Sequence, residues 1–121
     1  GGTSWARIEA RRASDVDLGE VFADWGIPTP DAISGLADVE GLTVVGSGGL
    51  RTGVDMAKAI AIGADLTAMA KPFLEAAGEG PSAVVDAIRR RIRELEIAMF
   101  CSGSGTIEEL KEAELRRSRG R

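Results

Sequence analysis

Gly46-Ser47-Gly48-Gly49-Leu50-Arg51-Thr52-Gly53 is the stretch of this chain whose composition points most directly to chemistry. Its four glycines stand between LTVV (42–45), a short uncharged run, and VDMAKAIAIG (54–63), which reads as a helix. Glycines after a strand can simply turn the chain. They also let backbone N–H groups approach an anion that a Cβ would hold off. The spacing fits neither GxGxxG nor GxxxxGK[ST], which disfavours a Rossmann dinucleotide site and a P-loop. A second segment supports the anion reading. Ala68-Met69-Ala70 closes another apolar run, and residues 71–77 then read as a short helix with Pro72 in its first turn. A helix N-terminus offers free N–H donors and partial positive charge. Arg51 and Lys71 add charge beside the two loops.

The elements around these loops alternate between strand and helix. Leu42 to Val45 predicts a strand covered on both faces, and Asp65 to Ala70 a second one. Between them a helix is predicted from about Thr52 to Ile62. Thr52 and Asp55 form a capping-box pattern, Val54, Ala57, Ile60 and Ala61 an inner stripe, and Gly63 follows the last turn. A long helix begins near Pro81. Val84, Val85, Ile88, Ile92, Leu95 and Met99 give it one apolar face, expected to lie on the core, while its arginines lie on the other. Ser102–Gly105 breaks it, and Thr106-Ile107-Glu108-Glu109 opens a last helix predicted to run to about Arg117. Residues 118–121 are expected to fray.

Upstream, Ala6–Arg12 is compatible with helix or loop. Val16, Leu18, Val21, Phe22 and Trp25 are apolar anchors in an acidic segment, and Trp25–Pro30 is a rigid turn before a helix to about Ala37. Alternating strands and helices imply parallel βαβ units. Two successive parallel strands that end in such loops match the phosphate site of a (βα)8 barrel, built after its seventh and eighth strands with a short extra helix. Gly1-Gly2-Thr3 reads as the exit of one further strand. The expected fold class is therefore α/β, the C-terminal portion of a TIM (βα)8 barrel, about strands 6–8 with their helices. Residues 1–121 are expected to form one partial domain, incomplete at its N-terminus.

Composition narrows the chemistry. The chain has 121 residues, 44% hydrophobic and 28% charged, as in an ordinary globular domain. A formal net charge of −4 gives no basic field for nucleic acid. Arginines 89–91 and 93 read as a solvated helix face. There is no histidine, so Ser-His-Asp and Cys-His catalysis and histidine-ligated metals are excluded within these residues. Cys101, the single cysteine, fits a reducing, cytoplasmic compartment and is expected to be a buried small hydrophobe. No run approaches the roughly eighteen apolar residues of a membrane span.

GGTSWARIEARR (1–12), DWGIPTP (24–30), VVGSGGLRTGVDMAKAIAIGADLTAMAKPFL (44–74) and IAMFCSGSGTIEELKEA (97–113) resemble type 2 isopentenyl diphosphate isomerase. That family comprises FMN-dependent (βα)8 barrels, and the likeness covers nearly the whole chain. The SGGLRTG…GADL…AKPFL part is shared across FMN-dependent barrels. GGTSW with its acidic IE, DWGIPT and the MFCSGS tail point to the isomerase. The resemblance implies FMN, reduced by NADPH or a similar donor, with Mg²⁺, in the interconversion of isopentenyl and dimethylallyl diphosphate by proton addition and removal. It implies that Thr3 hydrogen-bonds the flavin. Gly48, Gly49, Leu50 and Arg51 would form one phosphate loop, and Ala70 and Lys71 the other. Trp5 and Glu9 would line the substrate side.

Glu9 also suits proton transfer, as a carboxylate beside a dry pocket does; the alternative is an exposed helix charge. For Trp5 the alternative is core packing. The family's basic substrate-binding residues, magnesium carboxylate and catalytic glutamine would lie outside this segment, which is expected to hold no metal ligands and to be inactive alone. Exposed sheet edges and an apolar inner face favour a homo-oligomer or pairing with the rest of a barrel. Two other readings stand beside it: another FMN-dependent barrel oxidoreductase, glutamate-synthase-like, and a non-catalytic half-barrel that binds phosphate or flavin. The 2-hydroxy-acid oxidases are disfavoured because GGTSWARIE holds no histidine.

Overall fold

The structure is a computed structural model, and it describes residues 4–13 and 16–116. Thr3 and the strand exit expected at Gly1–Thr3 lie outside the described residues, as does the tail at 118–121.

Two extended segments pair in parallel at the centre. β1 (Val45–Gly46) and β2 (Leu66–Thr67) run in register Val45↔Leu66 and Gly46↔Thr67. Asp65 and Leu66 donate to the Val44 carbonyl, and Ala68 donates to that of Gly46. The strands are much shorter than the four and six residues expected, because among the described residues each has a neighbour on one side only. The connection between them is α4 (Gly53–Ala61). Its capping box is complete: Asp55 N–H donates to Thr52 Oγ1, and Thr52 N–H to Asp55 Oδ2. Gly63 follows it with φ +111°, where an added Cβ would also strike Ala37.

The alternation of a strand decides which residues are covered. Val44 is buried in a cluster with Ile33, Leu50, Ala59 and Ala64, under the helices. Val45 and Leu66 project to the opposite face and stay 52% and 58% exposed. The expected cover on both faces is thus present on one only among the described residues. α4 also feeds a second cluster, in which Ala57 and Ile60 meet Leu110 and the half-buried Leu95, Ala98 and Met99. Its inner stripe differs from expectation, because Ala59 and Gly53 are buried while Val54 is exposed.

α5 (Lys71–Ala77) and α6 (Pro81–Ser102) stack beyond β2. α4 and α6 cross at Gly53, where an added Cβ would sit 2.4 Å from Leu95 N and 2.6 Å from Arg91 O. Glycine is required here so that two backbones can touch. The apolar stripe of α6 is wider than this contact. Leu95, Ala98 and Met99 reach the core, whereas Val85, Ile88 and Ile92 remain 43–50% exposed, contrary to a wholly core-facing stripe. Cys101 is exposed, not buried as expected, because it lies on α6 away from the crossing.

α7 (Ile107–Lys111) ends six residues before the expected Arg117. Thr106 caps it by accepting from Glu109 N–H, while the Glu109 carboxylate takes the N–H of Gly105. α7 is tied to the sheet by Lys111 Nζ, 2.5 Å from Asp65 Oδ1. The other oxygen of Asp65 accepts the Val44 N–H at 2.8 Å. Lys111 first, and then that amide, hold the Asp65 carboxyl below the usual carboxylate range.

α1 (Trp5–Arg12) and α2 (Val16–Val21) form a helical pair. Gly19 allows the contact, since a Cβ there would lie 2.3 Å from that of Ala10, and Arg7 bonds Glu20 at 2.8 Å. Of the expected anchors here, Val21 and Trp25 are 73% and 83% exposed; Trp25 meets the ring of Phe22 edge-on at 5.9 Å. α3 (Thr29–Leu36) starts where predicted, after Pro28, and sends Ile33 into the core.

Candidate anion-binding cleft

The four glycines of 46–53 do three different things. Gly46 is a strand residue packed so closely that a Cβ would lie 3.0 Å from Ile33 Cδ1 and 3.1 Å from Ala64 Cβ. Gly53 is the helix crossing. Only Gly48 and Gly49, at φ +99° and +88°, form a turn in the left-handed region. Chain approach to a ligand therefore falls to this pair.

The N-terminus of α4 is already occupied. Asp55 Oδ2 accepts the N–H groups of Arg51 and Thr52, both at 3.0 Å, and Glu94 Oε2 of α6 accepts that of Gly53 at 2.7 Å. Burial pushes the Asp55 carboxyl up, but the Arg51 amide and the two donors of Thr52 outweigh it and hold it below its ordinary value. The Gly53 amide does most to keep Glu94 low, helped by Arg90 and Arg91. Among the described residues no acceptor reaches the amides of Gly48, Gly49, Leu50, Ala70 or Lys71. These donors are able to take a ligand.

Their residues line a cleft of about 250 Å³, together with Trp5, Ser47, Arg51, Ala68 and Met69. It opens past the C-terminal ends of both strands. Arg51 and Lys71 bring positive charge, and among the described residues no carboxylate lines it. Lys71 lies 3.7 Å from Glu75 on the exposed face of α5. Ala70 caps α5, which places Lys71 and Pro72 in its first turn. Two glycine amides without side chains, a second loop with free amides and two cations form a cradle that suits a phosphate group.

The structure thus brings together seven of the residues singled out from sequence, Trp5, Gly48, Gly49, Leu50, Arg51, Ala70 and Lys71. Trp5 is 69% exposed in the first turn of α1, so core packing does not account for it. Glu9 stands one turn further along. Its exposed carboxylate bonds Arg12 at 3.1 Å and does not line the cleft. Thr3 lies outside the described residues. Among them, no three His, Cys, Asp or Glu side chains gather to hold a metal, and no helix is long and apolar enough to cross a membrane.

Sequence reasoning missed two supports of the site. Thr29 Oγ1 donates to the Gly48 carbonyl at 2.7 Å. Glu94 caps α4 from 41 residues away. The DWGIPTP turn was a visible signal for the first, though not for its target. Along the sequence the arginines around Glu94 signal only a solvated helix face.

Residues 23–117 match the model of a family described as FMN-dependent dehydrogenase. The isopentenyl-diphosphate delta-isomerase of Paracoccus zeaxanthinifaciens is 50% identical over 119 residues, covering 93% of this chain and 34% of that protein. That of Methanocaldococcus jannaschii is 47% identical over 114 residues, with 92% and 32% covered. That of Nostoc sp. is 44% identical over 115 residues, with 92% and 33% covered. The chain spans about a third of the length of these curated relatives. With the family model matching most of its length, and with the isomerases among its relatives, the chain belongs to the FMN-dependent dehydrogenase family.

Proposed function

We propose that this chain is the FMN-phosphate-binding section, about strands 6–8, of a (βα)8-barrel isomerase that interconverts isopentenyl and dimethylallyl diphosphate. The observation that carries the reading is the single cleft in which the Gly48–Gly49 turn, the 68–71 loop and Trp5 converge. The phosphate would lie on the amides of Gly49, Leu50, Ala70 and Lys71, with Arg51 and Lys71 offsetting its charge. A Cβ at Gly48 or Gly49 would crowd that approach. Trp5 would wall the flavin side of the cleft. When bound and reduced, FMN would supply the electron-rich ring beside which a double bond is moved by proton transfer. Glu9 would hold or release a proton there once its carboxylate leaves Arg12, and Thr3 would bond the flavin.

The isomerase is favoured over an oxidoreductase because of the relatives' names and the absence of histidine from these residues. NADPH as donor, Mg²⁺ on the diphosphate and a cytoplasmic setting belong to the same proposal, with their residues outside this segment. The exposed Val45 and Leu66 support a second expectation, that the apolar sheet face is covered by another copy or by the rest of a barrel.

The test is a titration of the chain with FMN, followed by flavin fluorescence, beside Gly49→Asp. Saturable binding that the variant loses supports a preformed phosphate site. Equal binding by both would remove the loop from the site, and absence of binding in both would show that these loops alone do not hold the cofactor.

A further inference from the structure

We propose that Thr29 is a positioning residue for the glycine turn: its hydroxyl fixes the Gly48–Gly49 peptide so that the Gly49 N–H faces the Trp5 cleft. The purpose of this device rests on the phosphate reading above, but its geometry does not. Thr29 Oγ1 holds the Gly48 carbonyl at 2.7 Å in a half-buried contact. No peptide among the described residues is cis. In a trans peptide the C=O of one residue and the N–H of the next point in opposite directions. Thr29 belongs to a different, apolar cleft of about 370 Å³ between α3 and α4, which it lines with Pro28, Pro30 and Ile33. Gly48 and Gly49 border both clefts and form the partition between them. A carbonyl held on the α3 side therefore turns the following N–H to the Trp5 side.

The contact selects one of two arrangements. Two adjacent glycines can reach positive and negative φ with little steric cost, so their shared peptide can rotate. Rotated, it would present a carbonyl oxygen to the cleft and repel a phosphate. Thr29 is itself well held for this task. It opens α3 between Pro28 and Pro30, and Ile33 anchors that helix in the core at 4% exposure.

The test compares the full chain with Thr29→Val, Thr29→Ala and Thr29→Ser by ¹⁵N relaxation at the Gly49 amide and by titration with FMN and with inorganic phosphate. Loss of the hydroxyl in Val and Ala should lower the Gly49 order parameter and weaken FMN binding about two- to tenfold, the range of one neutral hydrogen bond. Thr29→Ser should restore both. An unchanged Gly49 amide in Val and Ala overturns the proposal, as does a Ser variant that behaves like Ala, or a Gly49 amide already mobile in the wild type. If neither FMN nor phosphate binds while the amide still loosens in Val and recovers in Ser, the phosphate reading falls and the positioning by Thr29 stands.

Discussion

The two ends of the β1–β2 pair are built on opposite terms. At the N-terminal end a charged group is paired within the chain: Asp65 takes the Val44 N–H and the Lys111 ammonium, and so ties both strands to α7. At the C-terminal end five loop amides lack acceptors among the described residues, two cations stand by, and glycine replaces side chains. The difference separates stability from binding. Partners that are filled within the chain hold the fold, whereas donors left open beside a cleft can take a ligand. The same division runs through the glycines, with Gly46 and Gly53 on the packing side and Gly48 and Gly49 on the ligand side.

Substitution should break this comparison cleanly. The largest expected effect is at Gly53. A methyl group there meets backbone atoms of α6 that cannot move aside singly, so Gly53→Ala should cost about 3 kcal/mol and lower the melting temperature by roughly 10 °C or more. Thermal unfolding followed by circular dichroism checks it, and an unchanged midpoint would show that the crossing is looser than described.

Acid should act next, and on the packing side first. Asp65, Glu94 and Asp55 are all held below their ordinary values in the fold. Their unfolded-state values lie near 4. The stability they contribute is therefore fully present above about pH 5 and is lost as pH falls through the lowered folded values, because the unfolded chain takes up protons first. Urea midpoints measured between pH 7 and 3 should fall on the acid side, and Glu94→Gln should flatten that fall. A midpoint independent of pH would contradict the network.

Gly48→Ala should show the reverse balance. The left-handed backbone costs roughly 1–2 kcal/mol with a Cβ present. FMN affinity, measured by fluorescence titration, should drop more than the folded fraction explains. Equal losses would mean that the turn serves the fold alone. The smallest effect belongs to Lys111→Met. The side chain of its partner, Asp65, is more than a third exposed and keeps the Val44 amide on its other oxygen, so only a slight drop in midpoint is expected. That drop should shrink in high salt while FMN affinity is untouched.

Much of this was legible along the chain. The α4 box at Thr52 and Asp55, Gly63 after its end and Pro72 in the first turn of α5 all stand as read, since each is settled within one or two turns. The cleft residues 48–51, 70 and 71 were also legible, because glycine pairs and helix starts announce where amides are free. Strand length was not, since a ladder depends on neighbours that lie elsewhere in sequence. The burial of Cys101 was misread for a similar reason, as hydrophobic period does not tell how much of a stripe a neighbouring helix will cover.

The sequence by itself determined local backbone geometry: which residues turn, cap and open each element, and which loops can offer N–H groups to an anion. Only the tertiary structure decided which of those groups remain free. Thr29 reaches Gly48 across 19 residues, Glu94 reaches Gly53 across 41, and Lys111 reaches Asp65 across 46. Such bonds form because packed helices bring distant side chains within hydrogen-bond range, a condition that no local spacing encodes.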